Sequence, residues 1–249
     1  MKVRSLACAA LLAVGLAACG GGGSRVITPT DPGTGTPPPG GGTTPPPVVT
    51  PPTLTVTKIM AFGDSLTEGE SRGQLLVPTS HDPGTPGVAT SYPYKLFTTL
   101  TTTYTGQAAE IKVYNFGHGG EFVVGSQAKE RLNSGLLGFQ PEVLLLLHGV
   151  NNVNAGDNIL TIVEAIEELV ELAYARGVKH VFIGNLPRQI PTTKATGGAR
   201  IAEFNGWLPA VAAEEGATIV DLYSNLTLDM LMPDGLHITE AGNAKMAEL

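Results

Sequence analysis

Four short segments contain the residue types that acyl transfer needs, and they are well separated along the chain. They are Gly63-Asp64-Ser65-Leu66-Thr67-Glu68-Gly69, Asn115-Phe116-Gly117-His118-Gly119-Gly120, Gly149-Val150-Asn151-Asn152 and Asp234-Gly235-Leu236-His237. A serine hydroxyl attacks an ester only when a neighbouring imidazole takes its proton. That imidazole needs a carboxylate on its other nitrogen, which fixes the tautomer and stabilises the imidazolium. The tetrahedral oxyanion needs hydrogen-bond donors already in place, as backbone N–H groups of a glycine loop or a side-chain amide. Ser65 supplies the hydroxyl, and Asp234 and His237, three residues apart, supply a compact carboxylate–imidazole pair. The glycine loop at 117–120 and Asn151 offer donors.

Apolar runs must position these segments. Leu54–Phe62, Glu110–Phe116, Glu142–His148, Val178–Gly184 and Ala217–Leu222 read as strands. The uninterrupted apolar run Val143–Leu147 is that of a strand covered on both faces. Residues Asn158–Arg176 carry Ile159, Ile162, Val163, Ile166, Leu169, Val170 and Ala173 at helical spacing, and Gly177 closes the helix. Shorter helical patterns cover Tyr92–Tyr104, Phe122–Leu137, Arg200–Glu215 and Glu240–Leu249, with Phe204 and Trp207 expected in the core. Alternating strands and helices predict an α/β domain over residues 54–249. This is a three-layer α/β/α sandwich with a five-stranded parallel sheet, whose chemistry gathers at the carboxyl ends of the strands. Three of the four segments directly follow predicted strands, and the fourth lies beyond the last.

In order and content, the blocks FGDSLTEG, NFGHGG, GVNN and DGLH resemble the SGNH (GDSL) hydrolase family over about residues 57–242. The resemblance implies a flavodoxin-like SGNH fold and a serine esterase acting through an acyl-enzyme. It implies Ser65 as nucleophile, His237 as general base and Asp234 as its orienting carboxylate. The Ser65 and Gly117 N–H groups and the Asn151 side chain would form the oxyanion hole. It implies no cofactor and no metal. One residue departs from the family pattern: Asn152 stands where the family usually has Asp. A second serine, in Gly69-Glu70-Ser71-Arg72-Gly73, matches the G-x-S-x-G elbow. It does not follow a strand directly, so Ser65 takes the nucleophile position. His118 and His148 read as polar rim or hydrogen-bonded structural residues, and His81 and His180 lack metal-ligand spacing.

The front of the chain is different in kind. Lys2 and Arg4 precede the apolar run Leu6–Ala18, as in an export signal. Leu16-Ala17-Ala18-Cys19 resembles the lipobox of bacterial lipoproteins, which implies cleavage before a lipidated Cys19. The competing reading is an ordinary signal with Cys19 a bystander. Residues 20–53 hold ten of the 19 prolines and nine of the 32 glycines and show no apolar periodicity. They read as a disordered tether which, at about 3.1 Å per residue, spans roughly 100 Å. The expected product is an exported protein, lipid-anchored in the cell envelope, with the outer membrane or cell surface favoured.

The 249-residue chain carries 15 Lys+Arg against 22 Asp+Glu, a net charge of −7. That balance argues against nucleic acid as a partner. The expected substrate is a small ester or an acetylated glycan, with short acyl groups favoured because the stretches 70–91 and 185–198 lack a broad apolar surface. Carbohydrate acetylesterase and lysophospholipase or thioesterase activities stand as alternatives within the family. A catalytically inactive, surface-anchored binding module stands as the alternative outside it.

Overall fold

The computed structural model describes residues 52–69 and 88–249. The signal segment, Cys19, nearly all of the tether, Ser71 and His81 lie outside these residues.

Strand β1 (Lys58–Gly63) leads into a four-residue helix α1 (Ser65–Glu68), followed by α2 (Tyr92–Thr103) and β2 (Lys112–Gly117). Then come α3 (Ser126–Phe139), β3 (Val143–Leu147), α4 (Val150–Ala155), α5 (Ile159–Ala175) and β4 (His180–Gly184). The chain continues through α6 (Gly198–Glu215), β5 (Thr218–Val220), α7 (Leu222–Asn225) and α8 (Glu240–Glu248). All strand pairs are parallel, in the order β2-β1-β3-β4-β5.

This order creates the site. Leaving β1, the chain crosses first to one side (β2) and then, past β1, to the other (β3, β4, β5). Right-handed crossovers running in opposite directions put their helices on opposite faces of the sheet. Helix α2 therefore lies on one face, where it meets α8, and α3, α5 and α6 pack together on the other. The crossovers diverge between β1 and β3, and a crevice opens beyond the carboxyl ends of these two strands. Register brings their ends level: Gly63 lies opposite Gly117 on one side and Leu147 on the other.

Both faces of β1 and β3 are covered, so Met60, Ala61, Phe62, Leu144 and Leu146 are buried, as the uninterrupted apolar run predicts. Helix α5 buries all seven residues of its predicted stripe, and Gly177 follows it at φ +89°. Among the described residues, no helix is long and apolar enough to cross a membrane.

Several expectations are corrected. Trp207 is 42% exposed instead of buried. Helix α6 presents Ile201, Phe204, Leu208 and Val211 to the core, and Trp207 sits about 100° round from Leu208. The first strand begins at Lys58 and not Leu54, and the last shrinks to Thr218–Val220. Helix α3 starts at Ser126 and not Phe122, because residues 121–125 form a loop whose Val123 N–H is taken by Asn152 Oδ1 at 2.8 Å.

Candidate active site

Ser65 is the first residue of α1, immediately beyond β1. Asp64 caps that helix, accepting the Leu66 N–H on Oδ1 at 3.1 Å. The abrupt turn from strand to helix puts the Ser65 hydroxyl at the crevice, and the backbone N–H groups of a first helical turn have no intrahelical acceptor.

Asp234 and His237 lie between β5 and α8 on a tight loop, in which Asp234 Oδ1 accepts the N–H groups of Leu236 (3.1 Å) and His237 (3.0 Å). Gly235 makes the loop possible. Its φ is +74°, and a Cβ there would lie 2.0 Å from the Ile190 carbonyl oxygen. That close approach belongs to a longer seam. Ile190 N–H donates to Gly235 O at 3.0 Å, and Thr192 Oγ1 to Asp234 O at 2.5 Å. Asn243 of α8 braces the other side, donating to the carbonyls of Ile238 and Thr239 and accepting the Tyr92 N–H from α2.

The structure brings the three predicted residues into one chain of hydrogen bonds. His237 Nε2 lies 2.9 Å from Ser65 Oγ, and His237 Nδ1 lies 2.6 Å from Asp234 Oδ2, with Ser65 and His237 both buried. With Asp234 ionised, Nδ1 carries the ring hydrogen and Nε2 is left to accept the serine proton. Burial disfavours the Asp234 carboxylate. The hydrogen bonds from the His237 ring and the two backbone N–H groups outweigh this and hold its pKa below the ordinary carboxylate value.

Residues 117–120 pack against α1, and Asn151 reaches the loop that follows them. Gly117 ends β2 against α1, where a Cβ would lie 2.0 Å from the Glu68 nitrogen, so only glycine fits. Glu68 pins this loop, accepting the Gly119 N–H on Oε2 at 2.7 Å. The Gly117 N–H rests on the Asn115 Oδ1 at 2.9 Å, an acceptor that an incoming oxyanion would have to displace or share. Asn151 Nδ2 donates to the Glu121 carbonyl at 2.8 Å, which leaves its second amide hydrogen for another acceptor.

A charged cluster lies beside these groups, joining His148 to Glu121 and Arg131, which the sequence did not single out. His148 Nε2 is 2.9 Å from Glu121 Oε2, and Arg131 donates to both Glu121 oxygens. The arginine also lies over the Phe62 ring, 4.0 Å from its centre. Burial works against the Glu121 charge, but Arg131 and His148 bring its pKa down to about 2. Burial likewise opposes charge on His148, and the flanking Asp64 and Glu121 carboxylates outweigh it and raise its pKa. His148 is thus a structural, hydrogen-bonded histidine, whereas His118 lies exposed on the glycine loop. The available signal was a histidine ending an otherwise apolar strand, together with a lone glutamate after two glycines.

An apolar cavity of about 170 Å³ between the sheet and helices α2 and α8 is lined by Tyr92, Leu96, Leu147, Phe182, Leu222 and Met246, among others. Ser65, Asp234 and His237 do not line it.

Comparison with known proteins identifies a family. Residues 61–245 match the GDSL-like lipase/acylhydrolase family, a span containing Ser65, Gly117, Asn151, Asp234 and His237. The chain belongs to that family. This GDSL-like hydrolase is therefore a serine hydrolase of carboxylic esters with the SGNH fold. Among solved structures it is similar to Axe2, an acetylxylan esterase from Geobacillus stearothermophilus, with TM-score 0.61 and 18% identity over 78% of this chain and 94% of that one. It is similar to the lipase/acylhydrolase from Enterococcus faecalis, with TM-score 0.60 and 22% identity over 77% and 92% of the two chains. A carbohydrate esterase family 3 protein from Talaromyces cellulolyticus aligns with TM-score 0.60 and 18% identity over 77% and 93%. At these identities the likeness is one of fold. No curated relative matches the sequence.

Proposed function

We propose that this hydrolase cleaves short-chain acyl esters through an acyl-enzyme on Ser65. His237 takes the Ser65 proton as Oγ attacks the ester carbonyl, and Asp234 holds the imidazolium that forms. The oxyanion is received by the N–H groups of Ser65 and Gly117 and by Asn151 Nδ2. Collapse returns the proton from His237 to the departing alkoxide, and water then repeats the sequence on the acyl group. The observation that carries this reading is the unbroken Ser65–His237–Asp234 chain at 2.9 and 2.6 Å.

A border with little apolar surface suits short acyl groups. On the loop that leans on Asp234, the exposed residues are Arg188, Ile190, Pro191, Thr193, Lys194 and Thr196, with Ile190 the sole large hydrophobic among them. Similarity to an acetylxylan esterase supports acetylated glycans as the first natural substrates to try. A series of p-nitrophenyl esters from two to twelve carbons on the full chain tests the acyl preference, with acetylated xylan run beside it. The expected kcat/KM is highest at two to four carbons, and a maximum at eight or more would overturn the assignment.

We further propose that lipid on Cys19 holds the enzyme in the cell envelope. Cys19→Ser should release it from the membrane fraction, and continued membrane association would contradict the anchor.

A further inference from the structure

We infer that Arg131, with Glu121 and His148, is a positioning group that aims the oxyanion donors; this rests on the proposed oxyanion role of Gly117, Ser65 and Asn151. Those donors sit on three separate segments, and one hydrogen-bonded cluster reaches all three. Arg131 Nη1 donates to the Phe116 carbonyl at 2.6 Å. That carbonyl belongs to the same planar peptide as the Gly117 N–H, and in a trans peptide the two point in opposite directions. Fixing one therefore aims the other. Arg131 Nη2 donates to the Gly63 carbonyl at 3.1 Å, one peptide before the unit that carries the Ser65 N–H. Arg131 also grips both oxygens of Glu121, whose own backbone carbonyl accepts Asn151 Nδ2 at 2.8 Å.

His148 closes the arrangement from β3. Its Nε2 faces Glu121 Oε2 at 2.9 Å, and its Nδ1 lies 2.9 Å from the Gly149 nitrogen and 3.5 Å from Asp64 Oδ2. Gly149 begins the turn into α4, two residues before Asn151. Arginine suits this place because its planar fork presents five donors in fixed directions. Lysine could neutralise Glu121, but its single ammonium could not also hold two carbonyls on different strands. The three residues touch no reacting atom. Their effect is on the aim of groups that do.

The test compares Arg131→Lys, Asn151→Ala and the double variant with wild type and Ser65→Ala, all in the full chain, with p-nitrophenyl acetate. Misaimed donors should lower kcat on the order of 10–100-fold, because small misplacements in a site cost about that much. KM should stay within about 3-fold, since the donors bind the transition state more tightly than the ester. The double variant should lose less than the product of the single losses, as expected when one residue acts through another. A purely structural Arg131 would give a lower Tm with kcat within 2-fold, or fully multiplicative losses, and either result overturns the inference. A second pair covers the case in which Arg131→Lys does not fold. His148→Gln keeps a donor toward Glu121 and should hold kcat within about 3-fold, whereas His148→Leu should lose about 10-fold; equal kcat in the two overturns the inference. Hydrolysis surviving in Ser65→Ala instead strikes at the proposed catalytic reading itself.

Discussion

Asn152 donates its amide to Asp157 Oδ2 at 2.7 Å, while its Oδ1 accepts the Val123 N–H at 2.8 Å. This explains the departure from the family pattern at position 152. Here the negative charge sits on Asp157, and Asn152 is the neutral donor that satisfies it. Asn152 is fully buried one residue after Asn151, so the pair fixes the start of α4. Asn152→Asp would set two carboxylates face to face and should lower stability by about 3–5 kcal/mol, the range for an uncompensated buried charge. Asn152→Asp/Asp157→Asn should recover most of that loss. Urea unfolding measures both, and an unchanged midpoint for the single variant would contradict this account of the contact.

Acid stability should depend on Glu121. Its pKa is lowered to about 2 from an ordinary 4.5, so its contribution is present above about pH 4.5 and lost as pH falls toward 2. His148 carries the opposite sign. With a raised pKa, its contribution is present below the ordinary histidine value and lost as pH rises through the raised one. Unfolding free energy measured from pH 5 to 2 should fall less steeply in Glu121→Gln than in wild type. Equal slopes would mean that Glu121 is not held ionised by Arg131 and His148.

Asn151→Ala should reduce kcat by roughly 10²–10³, the cost of one oxyanion donor. The hydrogen bond to the Glu121 carbonyl is also lost, worth about 1 kcal/mol, so Tm should fall by only a few degrees. Steady-state kinetics and a thermal melt on one sample separate the effects. A near-wild-type kcat would remove Asn151 from the oxyanion hole.

How much of this was legible in the sequence depended on the length scale of the signal. Strand β3 and helix α5 were plain, because burial on both faces and a seven-residue stripe leave long, regular patterns. Helices α1, α4 and α7 have four to six residues, too few for a helical period to register. Ser65, Asp234 and His237 stood out because they fall in short blocks at predicted strand ends or just beyond. Glu121 and Arg131 did not, because a charged residue in sequence looks solvated until the fold brings its partners to it. Trp207 shows the same limit: one step of helical phase separates a core position from an exposed one.

Gly235→Ala should damage activity and stability together. The added methyl group would meet the Ile190 carbonyl at 2.0 Å, in a backbone conformation of φ +74° that favours glycine. The loop carrying Asp234 and His237 would have to move away from residues 190–192. A loss of at least 1–2 kcal/mol and a fall in kcat of about tenfold or more are expected from melts and kinetics. Wild-type values for both would show that the seam does not hold the loop in place.

Catalysis turns on Ser65 as the nucleophile, activated by His237. The most direct measurement is the rate of p-nitrophenyl acetate hydrolysis by full-length wild type, Ser65→Ala and His237→Ala at equal concentration of folded protein. Wild type should turn over, and both variants should lose about 10³-fold or more, since members of such a unit fail together. Hydrolysis by Ser65→Ala within tenfold of wild type, or an inactive wild type, would contradict this role of Ser65.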